Sequence, residues 1–126
     1  MTRRPFEYAV LRAVPRADRE EFVNVGVMLY CQADGFLAAL VQVDAERLRA
    51  LDSEVDVGAV EAALAAIQAA CAGDPEAGPV AQSAPGERFR WLTAPRSTVV
   101  QPGPVHSGLT ADPARELERL LTCLVL

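Results

Sequence analysis

Phe22-Val23-Asn24-Val25-Gly26-Val27-Met28-Leu29-Tyr30-Cys31 decides the fold. The run is rich in β-branched and aromatic residues, broken only by Asn24 and Gly26, and it marks a strand. A period of two puts Val23, Val25, Val27 and Leu29 on one face and Asn24, Gly26 and Met28 on the other. A polar amide beside a residue without a Cβ has two readings. Either another backbone or a ligand comes close, or Asn24 satisfies a neighbouring loop and Gly26 marks a bulge. Ala33-Asp34-Gly35 then supplies hairpin turn chemistry, and Phe36 to Val43 returns as the next strand.

Upstream of that run, Glu7 to Val14 is a strand closed by Pro15, with Tyr8, Val10, Arg12 and Val14 on one face. Arg12 among apolar neighbours must sit at the sheet's rim or be paired, because a charge is costly to bury alone. Pro15 to Glu20 is a charged turn. The adjoining acids Glu20 and Glu21 read as solvent-facing turn residues, with metal binding or general-base work as the alternative.

Downstream, Asp44 caps a short helix from Ala45 to Leu51, with Leu48 and Leu51 turned inward. Val57, Val60, Leu64, Ile67 and Cys71 recur at steps of three and four and predict a longer helix packed on the sheet. Residues 73–87 hold Gly, Pro, Ala and acids without a period and read as a flexible loop. Arg88 to Leu92 and Ser97 to Gln101 read as short strands, Pro102-Gly103-Pro104 as an interruption, and Gly108 as a turn with a positive backbone angle. Asp112-Pro113 starts a last helix with Leu117, Leu120, Leu121 and Leu124 on one side. Its apolar end either docks onto the sheet or forms a homodimer contact. The expected fold is a single α+β domain over residues 1–126: an antiparallel sheet of four to five strands with about three helices packed mainly on one face.

The composition, 51% hydrophobic and 23% charged over 126 residues, is that of a globular domain. No run approaches the roughly 18 apolar residues of a membrane helix, and the first residues lack the apolar core of a secretion signal. No membrane association and a cytoplasmic location are expected. Cys31, Cys71 and Cys123 are scattered through apolar runs with one His, so they read as small core side chains, and neither a metal nor a cofactor is expected. All 12 basic residues are Arg against 17 acids. Residues 1–19 and 88–126 are each net positive, while the intervening stretch is strongly acidic. An acidic chain makes nucleic acid an unlikely partner, yet Arg clusters from the two ends could meet around one anionic group.

The stretch from Arg88 to Pro113 gathers the single Trp, the single His and three Arg. Arg88, Arg90 and Arg96 with Ser97, Thr98 and His106 could form an anion site, since guanidinium groups bind oxyanions through paired donors. The simpler reading is a solvated edge whose Arg residues pair with the acidic middle of the chain. His106 is the one side chain that titrates near neutrality and the candidate acid or base, if Asp112 or Glu21 lies beside it. The sequence carries no Gly-x-Ser-x-Gly elbow and no Gly-rich phosphate loop.

Tyr8-Ala9-Val10-Leu11-Arg12-Ala13-Val14-Pro15, Glu21 to Val27, Trp91 to Ser97, His106 to Thr110 and Asp112-Pro113 together resemble the bacterial domain-of-unknown-function family 3037 (DUF3037). The resemblance spans nearly the whole chain. It brings no established activity. Its members are often encoded beside HipA-like kinases, which implies an accessory or regulatory partner. The residues that match the pattern are Glu21, Asn24, Gly26, Arg96, Ser97, His106, Gly108 and Asp112.

The expected function is therefore a small binding or accessory module, with a HipA-like kinase as a plausible protein partner. Its candidate ligand-binding residues are Arg12, Glu21, Asn24, Arg88, Arg96, Ser97 and His106. One alternative is an enzyme or sensor for a phosphorylated or carboxylated small molecule or nucleotide, held by Arg12 and Arg96 with His106 as acid or base. A second is binding of single-stranded nucleic acid through Arg88, Arg90 and Trp91.

Overall fold

The first strand becomes the axis of the sheet. In the computed structural model, which describes residues 2–126, β1 (Arg4–Ala13) pairs antiparallel with β2 (Val23–Cys31) on one side. On its other side it pairs with both β4 (Val100–Pro102) and β5 (His106–Thr110). Strand β3 (Phe36–Val41) pairs with β2 and forms the far edge. Four helices complete the α+β fold: α1 (Ala45–Leu51), α2 (Val57–Ala72), α3 (Pro85–Leu92) and α4 (Pro113–Leu124).

Two cores separate on the two faces of the sheet. Leu11, Ala13, Val25, Met28, Leu37 and Ala39 pack against Leu48, Val60, Leu64, Cys71, Phe89 and Leu92 of α1, α2 and α3. Phe6, Val27, Leu29 and Cys31 pack against Leu117, Leu120 and Val125 of α4 and its end. Three helices thus share one face, and the apolar side of α4 docks on the other.

A bulge in β2 reverses the expected alternation. Leu11 pairs with Gly26 and Arg12 with Asn24, so Val25 lacks a partner on β1. Val25 and Met28 therefore point to one core while Val27 and Leu29 point to the other. The expectation that Val23, Val25, Val27 and Leu29 share a face is corrected, because one extra residue shifts every later side chain to the opposite face. Another backbone does come close and Gly26 does mark the bulge, while Asn24 meets the last residue of α4 and not a loop. A Cβ at Gly26 would stand 2.8 Å from the Leu40 carbonyl oxygen, and Asn24 Nδ2 donates to the Leu124 carbonyl at 3.0 Å.

Arg88 to Leu92 is helix α3 and not a strand. Its Arg-Phe-Arg-Trp alternation imitates period two, but Pro85 opens a first helical turn and Phe89 and Leu92, three apart, are buried while Trp91 is 53% exposed. Residues 73–87 hold two short 3-10 turns, Pro75–Ala77 and Pro79–Gln82, and the start of α3. The short strand expected at Ser97 to Gln101 is β4, which starts at Val100. Gly108 lies within β5 and has no positive backbone angle. What requires glycine there is the Phe6 ring, 2.8 Å from the place a Cβ would take.

Strands β4 and β5 act as one interrupted strand along β1. Gln101 pairs with Arg12 and His106 with Tyr8. Gly103, Pro104 and Val105 bridge the gap, with the Gly103 amide donating to the Val10 carbonyl at 2.7 Å. At the far edge, Gln68 Nε2 donates to the Ala39 carbonyl of β3 at 3.1 Å, supplying a partner to an edge strand. Among the described residues, no helix is long and apolar enough to cross a membrane.

Candidate functional site

The sheet distributes the candidate residues over several places. Arg88 serves the framework: Nη1 donates to the Ser83 carbonyl at 2.7 Å and Nη2 to the Cys71 carbonyl at 3.2 Å, tying α3 to the end of α2. The neighbouring Cys71 thiol is pushed up to about 12, chiefly by burial and against the pull of Arg88, so it stays protonated. Arg90 reaches both carboxylate oxygens of Glu7 at 2.6 and 2.8 Å.

Arg96 holds its own loop. Its guanidinium lies over the Trp91 ring, 4.7 Å from the centroid, and Nη2 donates to the Trp91 carbonyl at 2.5 Å. His106 is exposed on β5, with its ring 5.2 Å from that of Tyr8. Tyr8 and Arg12 are four residues apart on β1, a rise of about 13 Å. His106 and Arg12 therefore occupy separate positions along one strand. Glu21 pairs with Arg19 at 2.5 Å.

Arg12 and Ser97 do come together. They line a pocket of about 320 Å³ with Val14, Ala17, Glu20, Phe22 and Gln101. The Arg12 guanidinium sits over the Phe22 ring, with Cζ 4.2 Å from the centroid. It also lies against the Gly103 backbone, where a Cβ would come within 3.2 Å of Cζ and Nε. A ring and a glycine thus fix the plane of the cation. Its Nε is buried without a hydrogen-bond partner, and so is Oδ1 of Asn24, the residue paired with Arg12 across the β1–β2 ladder. The ion pairs found among the described residues involve other arginines.

Glu20, Phe22 and Gln101 complete this pocket, Gly103 backs the Arg12 guanidinium, and none of the four was among the candidate ligand residues. The adjoining acids drew attention to Glu20, but Gln101 and Gly103 reach Arg12 only through the β1–β4 register, which no local pattern records. Gln101 Nε2 donates to the Thr98 carbonyl at 3.0 Å, which orients its Oε1 as a remaining acceptor. Glu20 has a positive backbone angle, φ 57°, the one such non-glycine residue among those described. Chemically the pocket offers guanidinium and hydroxyl donors beside amide and carboxylate acceptors. Among the described residues no three His, Cys, Asp or Glu side chains gather as a metal ion would need.

The chain belongs to the family described as Protein of unknown function (DUF3037), whose model matches residues 8–125. No curated protein and no solved structure matches it.

Proposed function

We propose that this DUF3037 chain is a non-catalytic binding module, an accessory domain that docks on a protein partner, with a HipA-like kinase as the first partner to test. One observation carries the reading. Helix α4 packs on β2 and β3, so the β1 half of the same sheet face keeps a strip of Tyr8 tilted against His106 and Arg12 stacked over Phe22. Phe22 is 45% exposed, and Val105, at the break between β4 and β5, is 39% exposed. Aromatic residues and Arg are the side chains that protein interfaces concentrate, and an edge strand such as β5 offers backbone groups for pairing.

The test is co-expression of the chain with a HipA-like kinase encoded beside it, followed by size-exclusion chromatography. The two proteins are expected to co-elute, and Val105→Asp is expected to weaken the complex by at least ten-fold because it places a charge at an exposed apolar residue of the β4–β5 edge. Separate elution, or a complex indifferent to Val105→Asp, would overturn this reading.

A further inference from the structure

The pocket over Arg12 is built around a cation that makes none of the ion pairs found among the described residues, although Glu20 lines the same pocket. The guanidinium is held by the Phe22 ring and the Gly103 backbone, its Nε is buried and unpartnered, and the pocket wall beside it carries the Ser97 hydroxyl. A partly buried charge left in that state calls for a counter-charge. Its planar fork suits the two oxygens of a carboxylate.

The remaining wall says more about the ligand. Gln101 Nε2 donates one of its two protons to the Thr98 carbonyl, which fixes the amide and leaves Oε1 as an acceptor for a ligand beside the second N–H. Glu20, whose backbone is held at φ 57°, adds a carboxylate to the same pocket. Backbone strain in a non-glycine residue persists where the surrounding structure over-determines it, and such residues cluster at binding sites. The pocket therefore offers donors, Arg12 and Ser97, together with acceptors, Glu20 and Gln101. A doubly charged phosphate would meet a single cation and be repelled by Glu20.

We propose that this pocket binds a carboxylate bearing an N–H donor on the adjacent carbon, with Arg12 and Ser97 holding the oxygens and Glu20 and Gln101 accepting from the nitrogen. A free α-amino acid and the C-terminal residue of a peptide share that chemistry. About 320 Å³ accommodates a group of this size. The inference shares Arg12 and Phe22 with the docking strip but does not rest on that reading, since a free amino acid needs no partner chain.

The test is titration of the isolated chain with acetate, alanine, N-acetylalanine and inorganic phosphate, followed by NMR at Arg12 Nε–H and the Gln101 side-chain amide. Alanine or N-acetylalanine is expected to give a saturable shift with a midpoint at least five-fold below that of acetate. The tighter of the two identifies the source as free amino acid or chain terminus. Arg12→Lys is expected to weaken binding at least ten-fold, since it loses the fork, and Ser97→Ala, at an exposed residue, by two- to five-fold. Glu20→Gln is expected to erase most of the advantage of alanine over acetate. Acetate binding as tightly as both, phosphate binding tightest, or no saturable shift would each overturn the proposal. If Arg12→Lys does not fold, unchanged binding in Ser97→Ala and Glu20→Gln would overturn it as well.

Discussion

At the scale of single residues, Gly26 shows how one missing Cβ sets a sheet. A methyl carbon added there would stand only 2.8 Å from the Leu40 carbonyl oxygen, 3.1 Å from Val41 Cγ1 and 3.3 Å from Leu11 Cδ1. The obstacle is backbone, which cannot rotate away. Gly26→Ala is therefore expected to cost about 1–3 kcal/mol, the range of overpacking in a filled core, read as a lower urea midpoint at unchanged slope. An unaltered midpoint would show that the bulge has slack to absorb the methyl. The cysteines give a second residue-scale expectation. Cys31 and Cys71 are buried and Cys123 is exposed, and Cys71 is further protected because burial pushes its thiol up to about 12. Since the thiolate is the reactive form, iodoacetamide at pH 8 should alkylate Cys123 in the native protein and reach Cys71 only after denaturant is added. Mass spectrometry of the labelled chain decides it, and native labelling of Cys71 would contradict the packing of α2 against the sheet.

At the scale of elements, the signals that could be read in advance were those carried within a few neighbouring residues. Asp112 is the N-cap of α4, its carboxylate accepting from the Arg115 amide at 3.2 Å, with Pro113 in the first turn. Asp112→Ala should destabilise the protein by about 1 kcal/mol, and Asp112→Asn, which keeps an acceptor, by less. A thermal melt of the two variants side by side separates loss of the cap from loss of charge. The stripes Val60, Leu64 and Cys71 on α2 and Leu117 and Leu120 on α4 were legible for the same local reason, since helical spacing is written in the chain itself. Arg88 to Leu92 misled because five residues satisfy a period of two and a period of 3.6 almost equally, and Pro85 lies outside that window. The face switch in β2 was not legible, since a bulge is a relation between two strands: Gly26 hints at it, and only the pairing of Arg12 with Asn24 establishes it. The candidate pocket was half legible on the same principle. Arg12 and Ser97 stood out as chemistry, whereas their meeting, and the parts of Gln101 and Gly103, depend on the β1–β4 register.

At the scale of the whole molecule, Arg4 gathers three distant segments at one end of the sheet. Nη2 donates to Asp34 Oδ2 at 2.9 Å, in the turn between β2 and β3, and to the Ala111 carbonyl at 3.0 Å, between β5 and α4. The hydrogen bond from Arg4 holds the Asp34 carboxyl below its ordinary value, and the charge of Arg4 adds to that effect. The Arg16 guanidinium lowers Asp18 in the same way. The two pairs differ in what unfolding does to them. Arg16 and Asp18 are two residues apart and can still meet in an unfolded chain, whereas Arg4 and Asp34 are separated by thirty and lose contact. Asp34 should therefore carry the larger linkage to pH. In the unfolded chain its carboxyl titrates near the usual value of about 3.9. As pH falls toward that value the unfolded state binds the proton first, so the contribution of the pair is present above it and is lost as pH drops through the depressed folded value. Thermal melts from pH 7 downward should give D34N a lower Tm than the parent at neutral pH and a shallower fall below about pH 5, so that the two curves converge in acid. D18N should follow the parent closely throughout. Parallel curves for D34N and the parent would mean that Arg4 does not hold Asp34 in solution, and that the β2–β3 turn is not fastened to the start of β1.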